Sequence, residues 1–167
     1  MKDKLKFIIA GSEVERYHTV RTLTTETVGH HSHGVAALAI LLSQGQQMNP
    51  LILIAALYHD LAEHQTGDIP SPSKREYGIG DQVSELEDKL LASVGLAMPE
   101  LTQAEKRVLK LADIAQGAIF CVREKQLGNT GMKIVYERYK SYAESYVLSG
   151  QERKLFDLIH EMWEEAK

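Results

Sequence analysis

The sequence predicts a single all-α domain. Three observations carry that prediction. Apolar residues recur at helical spacing in segment after segment, capping and breaking residues fall between those segments, and nothing alternates with the period of two that a half-buried strand needs. The length of 167 residues is about one domain's worth, enough to bury a core without disulfide or metal staples. No internal repeat, linker or low-complexity tract divides the chain, so residues 1–167 are read as one domain.

Taken in order, residues 2–10 form a short helix ended by Gly11-Ser12, and residues 13–29, polar and rich in Thr, form an irregular segment. From about His31 to Ser43 the positions Val35, Leu38, Ala39, Leu41 and Leu42 follow helical spacing. Gln44-Gly45 closes that helix, and Asn49-Pro50 opens the next with Asn49 as N-cap and Pro50 at the first position. The run from Leu51 to His64 is nearly all apolar up to Tyr58-His59-Asp60, which predicts a central, buried helix with His59-Asp60 at its end. Thr66-Gly67-Asp68 and Pro70-Ser71-Pro72 predict an ordered loop. Asp81 is placed as the N-cap of a helix carrying Val83, Leu86, Leu90, Leu91 and Val94 on one face, ended by Gly95 and Pro99. Thr102 with Glu105 three residues on is a capping box, and a long helix follows to about Gln126. After the turn Gly128-Asn129-Thr130-Gly131, two helices fit 132–148 and 151–165, parted at Ser149-Gly150.

Composition narrows the function classes. At 44% hydrophobic and 25% charged residues the chain is neither disordered nor a membrane bundle. A net charge of -4, from 19 basic and 23 acidic residues, argues against a nucleic-acid-coating surface but leaves room for a small cationic pocket. The single Cys121 forms no internal disulfide, which fits a reducing compartment. No signal peptide and no run approaching the ~18 apolar residues of a membrane span is present, so the expected location is the cytoplasm (the host's, if the gene is phage-borne).

Chemistry concentrates at His31, the adjacent His59-Asp60, and Asp113. Imidazole and carboxylate are the ligands of divalent Co, Mn, Zn or Mg. A neighbouring pair diverges by about 100° on a helix, so His59 and Asp60 share one ion only at a helix end. Asp113 stands among Val108, Leu111, Ala112, Ala115 and Ala118, where a carboxylate needs a compensating partner. Taken singly, Asp113 also reads as a surface charge and His59-Asp60 as an incidental ion pair. His59 and His64 lie about 140° apart on a helix, which does not suit a zinc-protease pair. His30 and His33 are read as lining or solvent-facing side chains.

Together, the H…HD…D order of His31, His59, Asp60 and Asp113 resembles the HD-domain metal-dependent phosphohydrolases. The stretch Tyr58-His59-Asp60-Leu61-Ala62-Glu63, followed by Thr66-Gly67-Asp68-Ile69-Pro70, is similar to the 5′-deoxynucleotidase branch. Glu15-Arg16-Tyr17 and Thr25-Glu26-Thr27-Val28-Gly29-His30-His31-Ser32 resemble further elements of that branch. The resemblance spans about residues 15–125 and implies an HD-type helical bundle, a divalent metal on His31, His59, Asp60 and Asp113, and catalytic carboxylates at Glu63 and Asp68. Glu63 would activate or orient a water; Asp68 would protonate a leaving 5′-oxygen or hold a second metal. Their alternative readings are a solvated helix-end charge and a turn residue.

Phosphate needs cations. Arg16 is the first choice because guanidinium forks onto phosphate oxygens, with Lys74 and Lys110 as companions and Tyr17, where the family usually carries Trp, as a sugar or base contact. The separation of 53 residues between Asp60 and Asp113 is closer to short phage-type dATP triphosphohydrolases than to the longer bacterial nucleotidases. Three cations also suit a triphosphate. The expected activity is therefore dATP triphosphohydrolysis to deoxynucleoside and triphosphate. The alternatives are a 5′-deoxynucleotidase acting on deoxynucleoside monophosphates and a metal- and nucleotide-binding module without turnover. Tyr136, Tyr139, Tyr142 and Tyr146 form a helical stripe suited to core or subunit packing, and family precedent adds a homo-oligomer. Gly128 to Lys133 lacks the spacing and preceding strand of a phosphate loop.

Overall fold

The computed structural model describes residues 1–43, 48–148 and 150–167. The break expected at Gln44-Gly45 and the Ser149 half of the later one lie outside these residues. Helices dominate, and the sole β-type pairing among the described residues is an isolated bridge between Glu15 and Thr27.

The bundle is built around α7 (Gln103–Gln126), whose N-terminus carries the capping box: the Thr102 side chain accepts from the Glu105 amide, and the Glu105 carboxylate accepts from the Thr102 N–H at 2.7 Å. Its inner positions are Leu111, Ala112, Ile114, Ala115, Ala118 and Cys121, all buried, and the small ones let neighbours approach closely. On one side α2 (Val28–Leu42) packs against α7 and against α3 (Leu51–Tyr58), burying Val35, Ala39, Ile52, Ala56 and Ala112 together. On the other side α8 (Lys133–Glu144) and α9 (Gly150–Glu165) cover α7 with Met132, Tyr136, Ile159 and Trp163 around Phe120. A third cluster, Phe7, Leu61, Ala62 and Leu91, joins α1 (Lys2–Ser12) to the turn after α3 and to α6 (Gly80–Ser93).

Several boundaries differ from the sequence expectation for identifiable reasons. α1 continues through Gly11-Ser12 instead of ending there. Gly11 serves contact, because a Cβ would stand 2.4 Å from the Leu61 carbonyl oxygen. The run 51–64 is two elements: α3 stops at Tyr58, the chain turns through residues 59–62, and α4 (Glu63–Thr66) follows. Nor is α3 the buried centre of the bundle. Leu51, Ile54 and Leu57 are 38%, 39% and 46% exposed, because α7 occupies the centre and no element among the described residues covers the outer side of α3. At its start Pro50 is the cap residue, while Asn49 Oδ1 accepts from the Leu51 N–H at 3.1 Å. The Pro70-Ser71-Pro72 stretch starts a helix, α5 (Ser71–Glu76), with proline in the first turn where no N–H is needed. Asp81 lies inside the first turn of α6, with Ile79 as cap residue. α8 begins after a 3₁₀ turn (Thr130–Met132) and ends at Glu144, short of 148.

Candidate metal centre and active site

Three elements deliver the expected metal-binding residues to one place. α2 contributes His31, which is fully buried; the end of α3 contributes His59 and Asp60; α7 contributes Asp113. The two Nε2 atoms of His31 and His59 stand 3.2 Å apart, and Asp113 Oδ1 lies 3.3 Å from the first. One ligand atom from each of these three residues lies within 4.8 Å of the others, a grouping that can hold a metal ion. Asp60 Oδ2 adjoins it, 3.3 Å from His59 Nε2 and 3.6 Å from His31 Nε2.

The hydrogen bonds behind the histidines fix their tautomers. Gln116 Nε2 donates to Glu26 Oε1 at 2.7 Å, so Gln116 Oε1 is left to accept from His31 Nδ1. His59 Nδ1 donates to the Ala56 carbonyl at 2.9 Å. Each ring therefore carries its proton on Nδ1 and turns an Nε2 lone pair inward. Burial holds the His59 imidazole below its ordinary value, which keeps it neutral. Burial alone would raise the Asp113 carboxyl, but Lys110, His31 and His59 outweigh it and hold the group well below the carboxylate range. Two facing lone pairs and two carboxylates form a cluster of acceptors, the chemistry of a cation site; the residues fit a divalent metal.

The other expected residues surround this cluster. Arg16 Nη1 donates to Asp60 Oδ2 at 2.6 Å, and Lys110 Nζ donates to Asp113 Oδ2 at 2.7 Å. Glu63, at the start of α4, is 4% exposed; burial, with Asp60 and Asp68 nearby, pushes its carboxyl up to about 9. Lys74 Nζ, on α5, lies 3.9 Å from Glu63 Oε1 and 3.9 Å from Glu87 Oε1. Asp68 Oδ2 accepts from the Tyr17 N–H at 3.2 Å. Tyr17 holds a left-handed backbone with φ 60, uncommon for a bulky residue, while its ring stacks on Phe120 and its hydroxyl meets that of Tyr139 at 2.9 Å.

Two clefts open at these residues. One of about 640 Å³ is bounded by Arg16, Tyr17, Asp68, Pro70, Tyr139 and Tyr142. The other, of about 670 Å³, is bounded by Lys74, Arg75, Lys110, Ile114, Tyr142 and Tyr146. Ser71 and Tyr142 border both, and the Arg75 guanidinium lies 4.1 Å over the Tyr142 ring. Of the tyrosine stripe, Tyr136 is core, Tyr139 and Tyr142 line the first cleft, and Tyr142 and Tyr146 line the second. His30 and His33 are exposed on α2, and His64 packs edge-on against Phe7 with Nδ1 donating to the Leu61 carbonyl at 2.9 Å.

Sequence reasoning passed over the roles of Glu26 and Gln116. Both are nearly buried, at 6% and 9% exposure, and tie Arg16 and His31 together from behind. The available signal was the amide in the alanine-rich stretch of α7 one turn after Asp113.

Comparisons with known proteins give the family and the shared fold. The family model described as 5′-deoxynucleotidase YfbR-like matches residues 5–156. A 5′-deoxynucleotidase of Cronobacter sakazakii is 30% identical, with 75% of this chain and 74% of that protein covered. The fold is shared with an HD-domain phosphohydrolase from Listeria innocua, at a TM-score of 0.78 and 17% identity over 98% of this chain and 90% of that one. It is shared too with the cyanophage S-2L HD phosphohydrolase DatZ, solved with dA and one catalytic Zn²⁺, at a TM-score of 0.66 and 19% identity over 96% of each chain. The chain therefore belongs to the YfbR-like 5′-deoxynucleotidase family.

Proposed function

We propose that the chain hydrolyses deoxynucleoside triphosphates at the α-phosphorus, releasing deoxynucleoside and intact triphosphate, with dATP as the first substrate to test. The observation that carries this reading is the second cleft, where Lys74, Arg75 and Lys110 gather beside the Asp113 end of the metal centre. A monophosphate has no use for three further cations; a β,γ-phosphate tail does. The dA bound to the cyanophage relative supports starting with adenine.

In this reading His31, His59, Asp60 and Asp113 hold one divalent metal of the Co, Mn, Zn or Mg type. When bound, the ion polarises a phosphoryl oxygen and lowers the pKa of a water. Arg16 turns a guanidinium N–H to the α-phosphate, and Tyr17 lines the cleft that takes the nucleoside. Glu63 takes the proton of the attacking water, a role that requires the nearby dication to draw its carboxyl back down from about 9. Asp68, in the nucleoside cleft beside Arg16, gives a proton to the departing 5′-oxygen. The presence of both carboxylates beside the cation site counts against a binding module without turnover.

The second reading is 5′-deoxynucleotidase action on monophosphates, favoured by the family and by its curated relatives. Assays of dATP, dGTP and dAMP with Co²⁺ or Mn²⁺ decide between them. Triphosphate from dATP, resolved by anion-exchange chromatography, supports the first reading. Inorganic phosphate from dAMP with no triphosphate from dATP replaces it with the second.

The apolar side of α3 that the described residues leave uncovered also supports a homo-oligomer in which a second copy buries Leu51, Ile54 and Leu57.

A further inference from the structure

We propose that Glu26 is a positioning residue that couples the metal centre to the phosphate-binding arginine. It sits on the irregular segment before α2, 6% exposed, with its two oxygens engaged in different directions. Oε1 accepts from Gln116 Nε2 at 2.7 Å, and Gln116 in turn holds the Nδ1 proton of His31. Oε2 lies 3.4 Å from Arg16 Nε, while Arg16 Nη1 donates to Asp60 Oδ2 at 2.6 Å. The path His31–Gln116–Glu26–Arg16–Asp60 thus leaves the metal centre on one side and re-enters it on the other. Gly34 makes room for it, since a Cβ there would stand 2.7 Å from Gln116 Cγ.

The reason for a shared carboxylate lies at Asp60. Its Oδ2 receives Arg16 and also borders the His31 and His59 Nε2 atoms, where a cation would compete for the same lone pairs. With a cation held there, the Arg16 Nη1 bond to Asp60 would weaken and its N–H would be free for a substrate phosphate. Arg16 is buried except for a tenth of its side chain, so a freed guanidinium needs an anchor on its other edge. Glu26 Oε2 provides it. That contact is slack while Asp60 holds Arg16: neither Arg16 Nε nor Glu26 Oε2 makes a hydrogen bond among the described residues. One carboxylate therefore keeps His31 in the ligating tautomer and keeps Arg16 at the mouth of the nucleoside cleft when Asp60 turns to the metal. The metal arm stands on the cluster's geometry alone, and the arginine arm rests on the proposed phosphate role of Arg16.

Two substitutions separate the arms. Glu26→Gln preserves shape and an oxygen for Gln116 but sets an NH₂ against Arg16 Nε; Glu26→Ala removes both contacts. The readouts are the Co²⁺ dissociation constant by calorimetry on chelator-stripped protein, and KM for dATP (or for dAMP, if that is the substrate) at saturating metal. Glu26→Gln is expected to raise KM about tenfold or more with the Co²⁺ constant within threefold of wild type. Glu26→Ala is expected to weaken Co²⁺ as well, by about 10- to 100-fold, the usual effect of losing a partner behind a metal-bound histidine. A wild-type KM in Glu26→Gln overturns the arginine arm, and a wild-type Co²⁺ constant in Glu26→Ala overturns the metal arm. If Glu26→Ala does not fold, a Co²⁺ constant weakened in step with KM in the isosteric Gln variant overturns the separation of the arms. A wild-type protein that turns over no deoxynucleotide sinks the functional reading instead, and the Co²⁺ constants still decide the metal arm.

Discussion

Glu63 faces two carboxylates, Asp60 and Asp68, with Lys74 opposite at 3.9 Å, and one of its own oxygens is buried without a hydrogen-bond partner. Its carboxyl, raised from 4.5 to about 9, makes the folded state less stable as pH climbs through that window, because the unfolded chain loses the proton first. In chelator-stripped protein, Glu63→Gln should therefore melt at the same temperature as wild type near pH 4.5. At pH 8 it should be more stable by roughly 1–3 kcal/mol. Thermal melts across pH check this, and a gap that stays constant with pH would contradict it. Residues of this kind were legible in the sequence because ligand and acid types stand out from their neighbours: a carboxylate in the alanine-rich α7, a His-Asp pair ending an apolar run. Glu26 and Gln116 were not, because their importance comes from contacts with residues about 90 positions away in sequence.

Elements hold these residues only because the irregular segment before α2 is fastened to α7. The fastener is Glu124, fully buried near the end of α7, which accepts from the Leu23 N–H at 2.6 Å, the Thr24 N–H at 2.8 Å and Asn129 Nδ2 at 2.8 Å, and from the Thr24 hydroxyl. Burial would raise its carboxyl, but these donors prevail and depress it, so its contribution is complete above the ordinary Glu range and fades as pH falls through the depressed value. Glu124→Gln should cost about 2–4 kcal/mol at neutral pH, measured by urea unfolding, with the deficit shrinking under acid. It should also speed amide exchange in residues 20–27 before the rest of the bundle. At this scale the sequence showed helix after helix by periodicity and caps, as with Thr102 and Glu105. It missed the turn at residues 59–62 because no Gly or Pro marks it; the break is set by Leu61 and Ala62 packing onto Phe7 and Leu91. It read Gly11 as a stop, whereas the glycine is required by the close approach of another backbone.

For the whole molecule, the apolar side of α3 left uncovered by the described residues sets an association test. Ile54→Glu with Leu57→Glu should convert the expected oligomer to monomer in light scattering coupled to gel filtration, with the dATP reaction retained; a wild-type protein already monomeric at micromolar concentration would dismiss it. No helix among the described residues is long and apolar enough to cross a membrane. The way α7 completes the site also bears on synthesis. Arg16 depends on a segment pinned by residue 124, and His31 meets Asp113 and Gln116 on the same helix. A ribosome that has released only the first hundred residues has made His31, His59, Asp60, Glu63 and Asp68, yet no competent centre. On the proposed site, a nascent chain would turn over no deoxynucleotide until α7 had emerged and brought Asp113 and Gln116 to His31.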